Sequence, residues 1–172
     1  MIKSSEIDDS FIEKMRSTGG KTINLCFQCG TCSGICPVGR LVPLRTRRLI
    51  RKALLGLKEK AITSEDLWLC MVCYRCYERC PRGVNIPSVI LAIRDQAVSM
   101  GILPPKGYLE MAKSLLERGI MQVPQEVYTK DFETFDRKTL NLPEFGTKPI
   151  DEFSKTLLRT DHHKVLGREP KE

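Results

Sequence analysis

The chain has few of the residues from which ordinary protein cores and active sites are built. Aromatic residues make up only 6% of its 172 residues, so an apolar core must consist mainly of aliphatic side chains. Histidine occurs only as His162 and His163, near the polar C-terminus, where we expect solvent exposure and not metal binding. Neither a G-x-G-x-x-G sequence nor a P-loop is present, so no nucleotide or flavin site is predicted.

Long apolar segments are also missing. No apolar run approaches the roughly 18 residues that a membrane-spanning helix needs, and acidic residues occupy the N-terminal stretch where a signal peptide would be apolar. The sequence therefore predicts a cytoplasmic protein without a membrane span. Lys and Arg exceed Asp and Glu by 28 to 21, but the basic residues are not interleaved with stacking aromatics, so nucleic acid is not an expected partner.

Cysteine, in contrast, is present in two matched runs. The first, CFQCGTCSGICPVG, begins at Cys26, and the second, CMVCYRCYERCPRG, begins at Cys70. The same offset relates residues before and after the cysteines, which indicates duplication of a structural unit. The paired positions are Cys26 and Cys70, Cys29 and Cys73, Cys32 and Cys76, Cys36 and Cys80, Leu25 and Leu69, Pro37 and Pro81, and Gly39 and Gly83.

Three kinds of site could use eight clustered thiols. Disulfides are disfavoured because the spacings are too short and too regular for loop-closing bridges. Zinc sites of four thiolates usually separate their C-x2-C pairs by longer loops, so zinc fits less well but is the alternative metal. Runs of the form C-x2-C-x2-C-x3-C-P occur in two-cluster ferredoxins, where the fourth cysteine binds the other [4Fe-4S] cluster. On that pattern the first cluster is held by Cys26, Cys29, Cys32 and Cys80, and the second by Cys70, Cys73, Cys76 and Cys36.

The proline that follows each run has a mechanical interpretation. Pro37 and Pro81 fix φ and prevent a helix from continuing through the last ligand. Gly39 and Gly83 are expected to supply the tight turn that comes next, with an ordinary loop glycine as the alternative for either. Because all eight cysteines are then ligands, no thiol is left for nucleophilic catalysis, and the chain alone is predicted to be non-catalytic.

Helical patterns dominate the rest of the sequence, and no convincing alternating strand is found. From about residue 121, isolated apolar residues such as Phe132, Phe135 and Phe145 mix with prolines, which indicates an extended segment lying on a partner or on the main domain. The predicted helices cover residues 8–18, a short stretch capped by Thr63 or Ser64, a stretch from Pro43 to a stop at Gly56, a stretch from Pro87 to a stop at Gly101, and residues 106–119.

These patterns divide the chain into three parts. Residues 1–20 are predicted to form an N-terminal helical lead and residues 21–119 a two-cluster domain. Residues 120–172 are predicted to form a C-terminal extension that docks on a partner.

Four segments resemble the HdrC family, the iron-sulfur relay subunits of heterodisulfide reductase, in the α-helical ferredoxin superfamily: INLCFQCGTCSGICPVGR, RTRRLIRKALLG, DLWLCMVCYRCYERCPRGVNIP and AIRDQAVSMGILP. The resemblance implies a mainly α fold with two [4Fe-4S] clusters and an extended C-terminal tail. It implies an archaeal electron-transfer subunit that relays single electrons from the flavin-bearing, electron-bifurcating HdrA to the catalytic HdrB. There the heterodisulfide of coenzyme M and coenzyme B is reduced during methanogenesis. A hydrogenase or formate dehydrogenase is a further candidate partner in the larger complex.

Two other functions are compatible with the cysteine runs. The chain could be the relay subunit of a non-methanogenic complex related to heterodisulfide reductase, or a freestanding soluble ferredoxin. The C-terminal extension favours fixed docking over a freely diffusing carrier.

Overall fold

The computed structural model describes residues 3–122, 127–131, 133–143 and 150–160, so His162, His163, Phe132 and Phe145 lie outside the described residues. Within those ranges the chain is mostly helical and has one short β-hairpin, which confirms the predicted mainly α fold. The α-helices are α1 (Asp9–Met15), α2 (Thr31–Gly34), α3 (Val38–Leu41), α4 (Thr46–Leu54), α5 (Lys58–Ile62), α6 (Asp66–Leu69), α7 (Arg75–Glu78), α8 (Ile86–Ser99), α9 (Lys106–Arg118) and α10 (Ile150–Leu158). The strands are β1 (Val127–Tyr128) and β2 (Thr134–Phe135), and shorter helical turns cover Ser4–Glu6, Arg16–Gly20 and Ile23–Leu25.

Helix α8 is central to the first compact unit, which spans Met1–Leu103. It contacts α1, α4, α5, α6, α7 and the turn Arg16–Gly20. Asn85 caps the helix, because its side chain accepts a hydrogen bond from the Ser88 backbone N–H at 3.2 Å, and Pro87 stands in its first turn. Gly101 follows the helix with φ of 82°, so both the start and the stop predicted for this helix are confirmed.

The buried core of this unit is aliphatic, as the low aromatic content predicts. Phe11 is the only aromatic side chain among the fully buried core residues of the described part of the chain. Cys32 belongs to this core, and four further cysteines pack against it, so both runs are attached to it directly: Cys26, Cys70, Cys76 and Cys80. The largest fully buried aliphatic side chains are Met15, Ile23, Leu44, Leu49, Ile50, Leu67, Val84, Ile86, Val89, Ile90 and Ile93.

The predicted cap of α6 is wrong. The residue before this helix is Glu65, and neither Thr63 nor Ser64 caps it. Thr63 instead ends α5, where its hydroxyl donates to the Glu59 carbonyl oxygen at 2.6 Å. The Ser64 hydroxyl accepts a hydrogen bond from Lys52 Nζ at 3.0 Å. Both hydroxyls are therefore engaged in other contacts.

The second compact unit, Pro104–Glu172, contains α9, the hairpin and α10. The strands β1 and β2 pair in antiparallel fashion but have only two residues each, too few to produce an alternating sequence pattern. Helix α10 corrects the expectation of an extended conformation at this point. Its half-buried positions Ile150, Phe153 and Leu157 have helical spacing, and the Ser154 hydroxyl donates to the Leu116 carbonyl oxygen of α9 at 2.6 Å. The three-part division remains a prediction, and the structure groups α9 with the later elements.

Candidate metal centre

The first cysteine run is a tight loop followed by a single helical turn. Cys26 and Cys29 lie in the loop, and Cys32 lies on α2. The backbone enters the left-handed region twice, at Gln28 with φ of 64° and at Gly30 with φ of 92°. One left-handed residue on each side of Cys29 makes the chain curl around this cysteine.

The second run repeats this backbone path. Val72 has φ of 52° and Tyr74 has φ of 61°, and these positions lie at the same offset from Gln28 and Gly30 as the cysteines do. A positive φ is strained for any residue with a side chain and most of all for a β-branched one such as Val72. The backbone conformation is therefore duplicated along with the sequence, even though the second run has Tyr74 where the first has Gly30.

Several cysteine sulfurs accept hydrogen bonds from residues in or directly after their own run. The backbone N–H of Val72 donates to Cys70 Sγ at 3.4 Å, and that of Val84 donates to Cys80 Sγ at 3.3 Å. In the first run, Gln28 Nε2 donates to Cys26 Sγ at 3.4 Å. Donors aimed at sulfur stabilise the thiolate form that binds metal.

Burial has the opposite effect on three of the thiols, because it disfavours the charged thiolate form. It raises the pKa of Cys32 to about 11 and that of Cys76 to about 12, and it also raises the pKa of Cys70. The hydrogen bond with the Thr31 hydroxyl lowers the pKa of the exposed thiol of Cys29. Metal binding at the buried positions must therefore displace protons, as expected for thiolate ligands.

The fourth cysteine of the first run meets the second run. Cys36, Cys70, Cys73 and Cys76 line one cavity, together with Met71 and four further residues: Pro37, Val38, Thr46 and Pro87. Cys80 follows α7, and α7 packs against α2, which carries Cys32. The structure thus brings Cys36 to the three cysteines with which the two-cluster pattern groups it, and it brings the segment of Cys80 to the first run.

The two runs also approach each other through their third cysteines. Cys32 on α2 and Cys76 on α7 lie on packed helices, and the negative charge of the Cys32 thiolate contributes to the raised pKa of Cys76. The middle cysteines, Cys29 and Cys73, are exposed. Each run therefore has an inner ligand directed toward the other run and an outer ligand at the surface.

The glycines after the runs differ in their roles. Gly83 has φ of 61° and forms the turn predicted for it. The turn predicted at Gly39 is wrong, because Gly39 lies inside α3, where a Cβ would come within 3.2 Å of the Leu44 carbonyl oxygen and 3.5 Å of Cys36 Cβ. A glycine is required there by close packing beside a ligand.

Comparison with known protein families supports the cysteine pattern. Residues 22–84 match a family model described as a 4Fe-4S dicluster domain. The chain is 47% identical over 105 residues to the HdrC-type subunit of an H2:CoB-CoM heterodisulfide, ferredoxin reductase from Methanothermobacter marburgensis, a match covering 61% of this chain and 57% of the relative. It is 35% identical over 152 residues to the corresponding iron-sulfur subunit of the CoB-CoM heterodisulfide reductase of Methanopyrus kandleri, covering 85% and 76%. The equivalent subunit of a ferredoxin/F420H2-dependent enzyme from Methanosarcina acetivorans is 39% identical over 152 residues, covering 86% and 90%.

The chain belongs to the HdrC family of heterodisulfide reductase subunits. It spans little more than half the length of the Methanothermobacter relative. As a member of this family with a dicluster domain, it binds iron-sulfur clusters of the [4Fe-4S] type. None of the eight cysteines forms a disulfide, so all eight are available as ligands.

The donor set fits clusters of this type. Within the described residues, no three His, Cys, Asp or Glu side chains converge on a point that one metal ion could occupy. A [4Fe-4S] cluster does not need such convergence, because its four thiolates bind four different irons. Cys36, Cys70, Cys73 and Cys76 surround one cavity, and a residue with left-handed backbone lies on each side of Cys73. Thiols placed around a cavity, and not gathered at one point, suit a cluster of four irons.

Basic side chains near the runs divide into two groups. Arg48 binds the buried Asp66 at 3.1 Å, and Arg45 donates its backbone N–H to the same carboxylate at 3.2 Å, so these two residues support the fold. Arg47 instead covers the first run, where its guanidinium donates to the Gln28 carbonyl oxygen at 3.3 Å. Sequence reasoning missed Arg94, a buried residue of α8 whose guanidinium donates to the Cys70 carbonyl oxygen at 2.6 Å. Its only sequence signal is that it is the one cation of α8. No helix in the described residues is long and apolar enough to cross a bilayer.

Proposed function

We propose that this chain is the electron-transfer subunit of a heterodisulfide reductase complex. In this role it carries single electrons from the flavin-bearing HdrA to HdrB, which reduces the heterodisulfide of coenzyme M and coenzyme B. The names of its relatives support the proposal, since all three described above are HdrC-type subunits of CoB-CoM heterodisulfide reductases. The chain alone is not the catalyst, because its eight cysteines all serve as ligands.

The proposed ligands follow the crossed pattern of two-cluster ferredoxins. Cys26, Cys29, Cys32 and Cys80 hold the first cluster, and Cys70, Cys73, Cys76 and Cys36 hold the second. The cavity lined by Cys36 and the second run supports the assignment of the second cluster. When bound, each cluster supplies a centre that gains or loses one electron.

The observation that carries the relay proposal is a difference in solvent exposure between the second and the third cysteine of each run. Cys29 and Cys73 are exposed, whereas Cys32 and Cys76 lie on the packed helices α2 and α7. An electron can therefore enter at one outer ligand, pass between the clusters by way of the inner ligands, and leave at the other outer ligand. A storage or purely structural cluster pair needs no such exposed ends.

Apolar side chains beside the first cysteine of each run support docking of two partners. Phe27 is 60% exposed and Met71 is 77% exposed, and the two positions are equivalent in the duplication. Protein contact sites are enriched in aromatic residues and methionine, and these two side chains lie beside the two sets of ligands. We assign Phe27 to the contact of one partner and Met71 to the contact of the other. The extension from residue 120 onward provides further docking surface in this proposal.

The proposal is tested by isolating the complex through a tag on this chain. We expect two larger subunits to remain bound through high salt, and about eight irons per chain after the chain is separated from them, four for each cluster. Phe27→Glu and Met71→Glu should each weaken binding of a different partner. Iron content should stay unchanged in Phe27→Glu, and it is measured in Met71→Glu as well, because Met71 also lines the cavity of the second run. Met100→Glu is the matched control, because Met100 is 51% exposed but lies outside both cysteine runs.

Two outcomes contradict the proposal. One is a fully loaded chain with about four irons or fewer, which leaves no relay of two clusters. The other is a chain that isolates without partners and whose Phe27→Glu and Met71→Glu variants behave like the control. That result favours a freestanding ferredoxin.

A further inference from the structure

Arg94 is the only buried lysine or arginine among the described residues, with 9% of its surface exposed. Its Nε donates to the Leu67 carbonyl oxygen at 3.0 Å, and its Nη2 donates to the Cys70 carbonyl oxygen at 2.6 Å. Its guanidinium also stacks over the Trp68 ring at 5.3 Å. An arginine side chain stays protonated in proteins, and these contacts hold its charge in one position. The result is a fixed positive charge beside the first ligand of the second run.

The first run has no equivalent charge at the same place. Helices α4 and α8 occupy corresponding positions in the duplication, with Leu49 matching Ile93 and both fully buried. At the position that corresponds to Arg94, α4 has Ile50, which is also fully buried. The duplication therefore preserves the packing of the two helices but places a cation beside only one of the two sets of cysteines.

The first run has a different arginine near its surface. The backbone N–H of Arg47 donates to the Ser33 hydroxyl at 2.9 Å, and its guanidinium reaches the Gln28 carbonyl oxygen. Arg47 is exposed, so water and salt screen its charge. A charge in the low-dielectric interior acts far more strongly at the same distance. Arg94 should therefore outweigh Arg47 in its effect on the neighbouring cluster.

We propose that Arg94 gives the second cluster the higher reduction potential and so favours transfer of an electron from the first cluster to the second. Reduction adds one negative charge to a cluster, and a nearby fixed cation stabilises that added charge. One electron then passes from the reduced first cluster, which is oxidised, to the oxidised second cluster, which is reduced. Electrons enter beside Cys29 and leave beside Cys73. This inference rests on the proposed relay and its ligand assignment.

The same geometry makes Arg94 a positioning residue as well as a charge. By holding the carbonyl oxygens of Leu67 and Cys70, it fixes the point where α6 ends and the second run begins. A substitution could therefore alter the site through shape alone. The charge effect is separated from the shape effect by comparing a substitution that keeps the charge with one that removes it.

The test is a redox titration of the full chain with its clusters, followed by EPR. Cys29→Ala and Cys73→Ala identify which of the two reduction steps belongs to which cluster, because each removes an outer ligand of one run. We expect the step assigned to the second cluster to lie at the higher potential. In Arg94→Met that step should move to lower potential while the other stays in place, and Arg94→Lys should restore most of the shift. Arg47→Gln is the matched control and should leave the second-cluster step unchanged.

A measurement on the unsubstituted chain covers the case in which Arg94→Met loses its clusters. A buried charge is screened little by salt, so the separation between the two steps should persist between low and high salt. The inference is overturned if the separation disappears in high salt, if the first cluster has the higher potential, or if Arg94→Met and Arg94→Lys shift the second step equally. In each of these cases the relay proposal still stands as long as two clusters titrate. A chain that holds only one cluster refutes the relay itself.

Discussion

The crossed ligand assignment can be tested by combining cysteine substitutions in pairs. If Cys36 and Cys73 serve the same cluster, removing either one abolishes that cluster, and removing both costs nothing further. If Cys36 and Cys29 serve different clusters, the double substitution abolishes both. The prediction rests on the cavity that Cys36 shares with Cys70, Cys73 and Cys76.

The expected magnitudes follow from the proposed two clusters per chain. Cys36→Ala, Cys73→Ala and their double variant should each retain about four irons, because one cluster survives in every case. The double variant of Cys36 and Cys29 should retain almost none. Cys80→Ala should show the reverse dependence: additive with Cys73→Ala and not additive with Cys29→Ala. Non-additivity of this kind is the mark of residues that act at one site.

The assay is iron analysis combined with EPR spin counting of the reduced chains. Serine versions of the same variants, which keep an oxygen near the iron, cover any alanine variant that does not fold. The reasoning is refuted if Cys36→Ala is additive with Cys73→Ala and not with Cys29→Ala. That pattern would mean that each run holds its own cluster with all four of its cysteines.

Two predictions concern the fold around the site. Gly56 has φ of 65°, and a Cβ there would lie 3.1 to 3.2 Å from neighbouring atoms, whereas Gly83 has φ of 61° with open space around it. In denaturant unfolding, Gly56→Ala should therefore destabilise the chain by about 1–2 kcal/mol more than Gly83→Ala, and equal losses would contradict the packing argument. Asp66→Asn should lower the free energy of unfolding by about 1–3 kcal/mol, because the buried carboxylate binds Arg48 at 3.1 Å. Glu110→Gln, in an exposed pair, should cost under about 0.5 kcal/mol, and a similar loss in both variants would show that burial is not the cause.

The helical fold and its main stops were predictable because those signals are local. Pro87 and Gly101 bound α8 through their own backbone preferences, which need no knowledge of distant residues. The cap of α6 was not predictable for the opposite reason. The Ser64 hydroxyl is held by Lys52, twelve residues earlier in the chain, and such a contact appears only when α4 and α6 are packed.

The C-terminal part illustrates a different failure. Ile150, Phe153 and Leu157 have the spacing of an amphipathic helix, so the signal for α10 was present in the sequence. The scattered prolines of the region outweighed that signal and suggested an extended chain. A nine-residue helix is marginal in isolation, and its pattern is convincing only when α9 supplies a surface for it to pack on.

For the candidate site, the cysteine spacing predicted which residues belong together but not how the two halves differ. Spacing is symmetric between the runs, and so are the left-handed residues that curl them. The asymmetry comes from α4 and α8, where Ile50 and Arg94 occupy matching buried positions. A duplicated ligand set with one buried cation provides two similar clusters in different electrostatic surroundings. In the proposed relay that difference makes transfer of an electron from the first cluster to the second favourable, whereas between two clusters of equal potential neither direction of transfer is favoured.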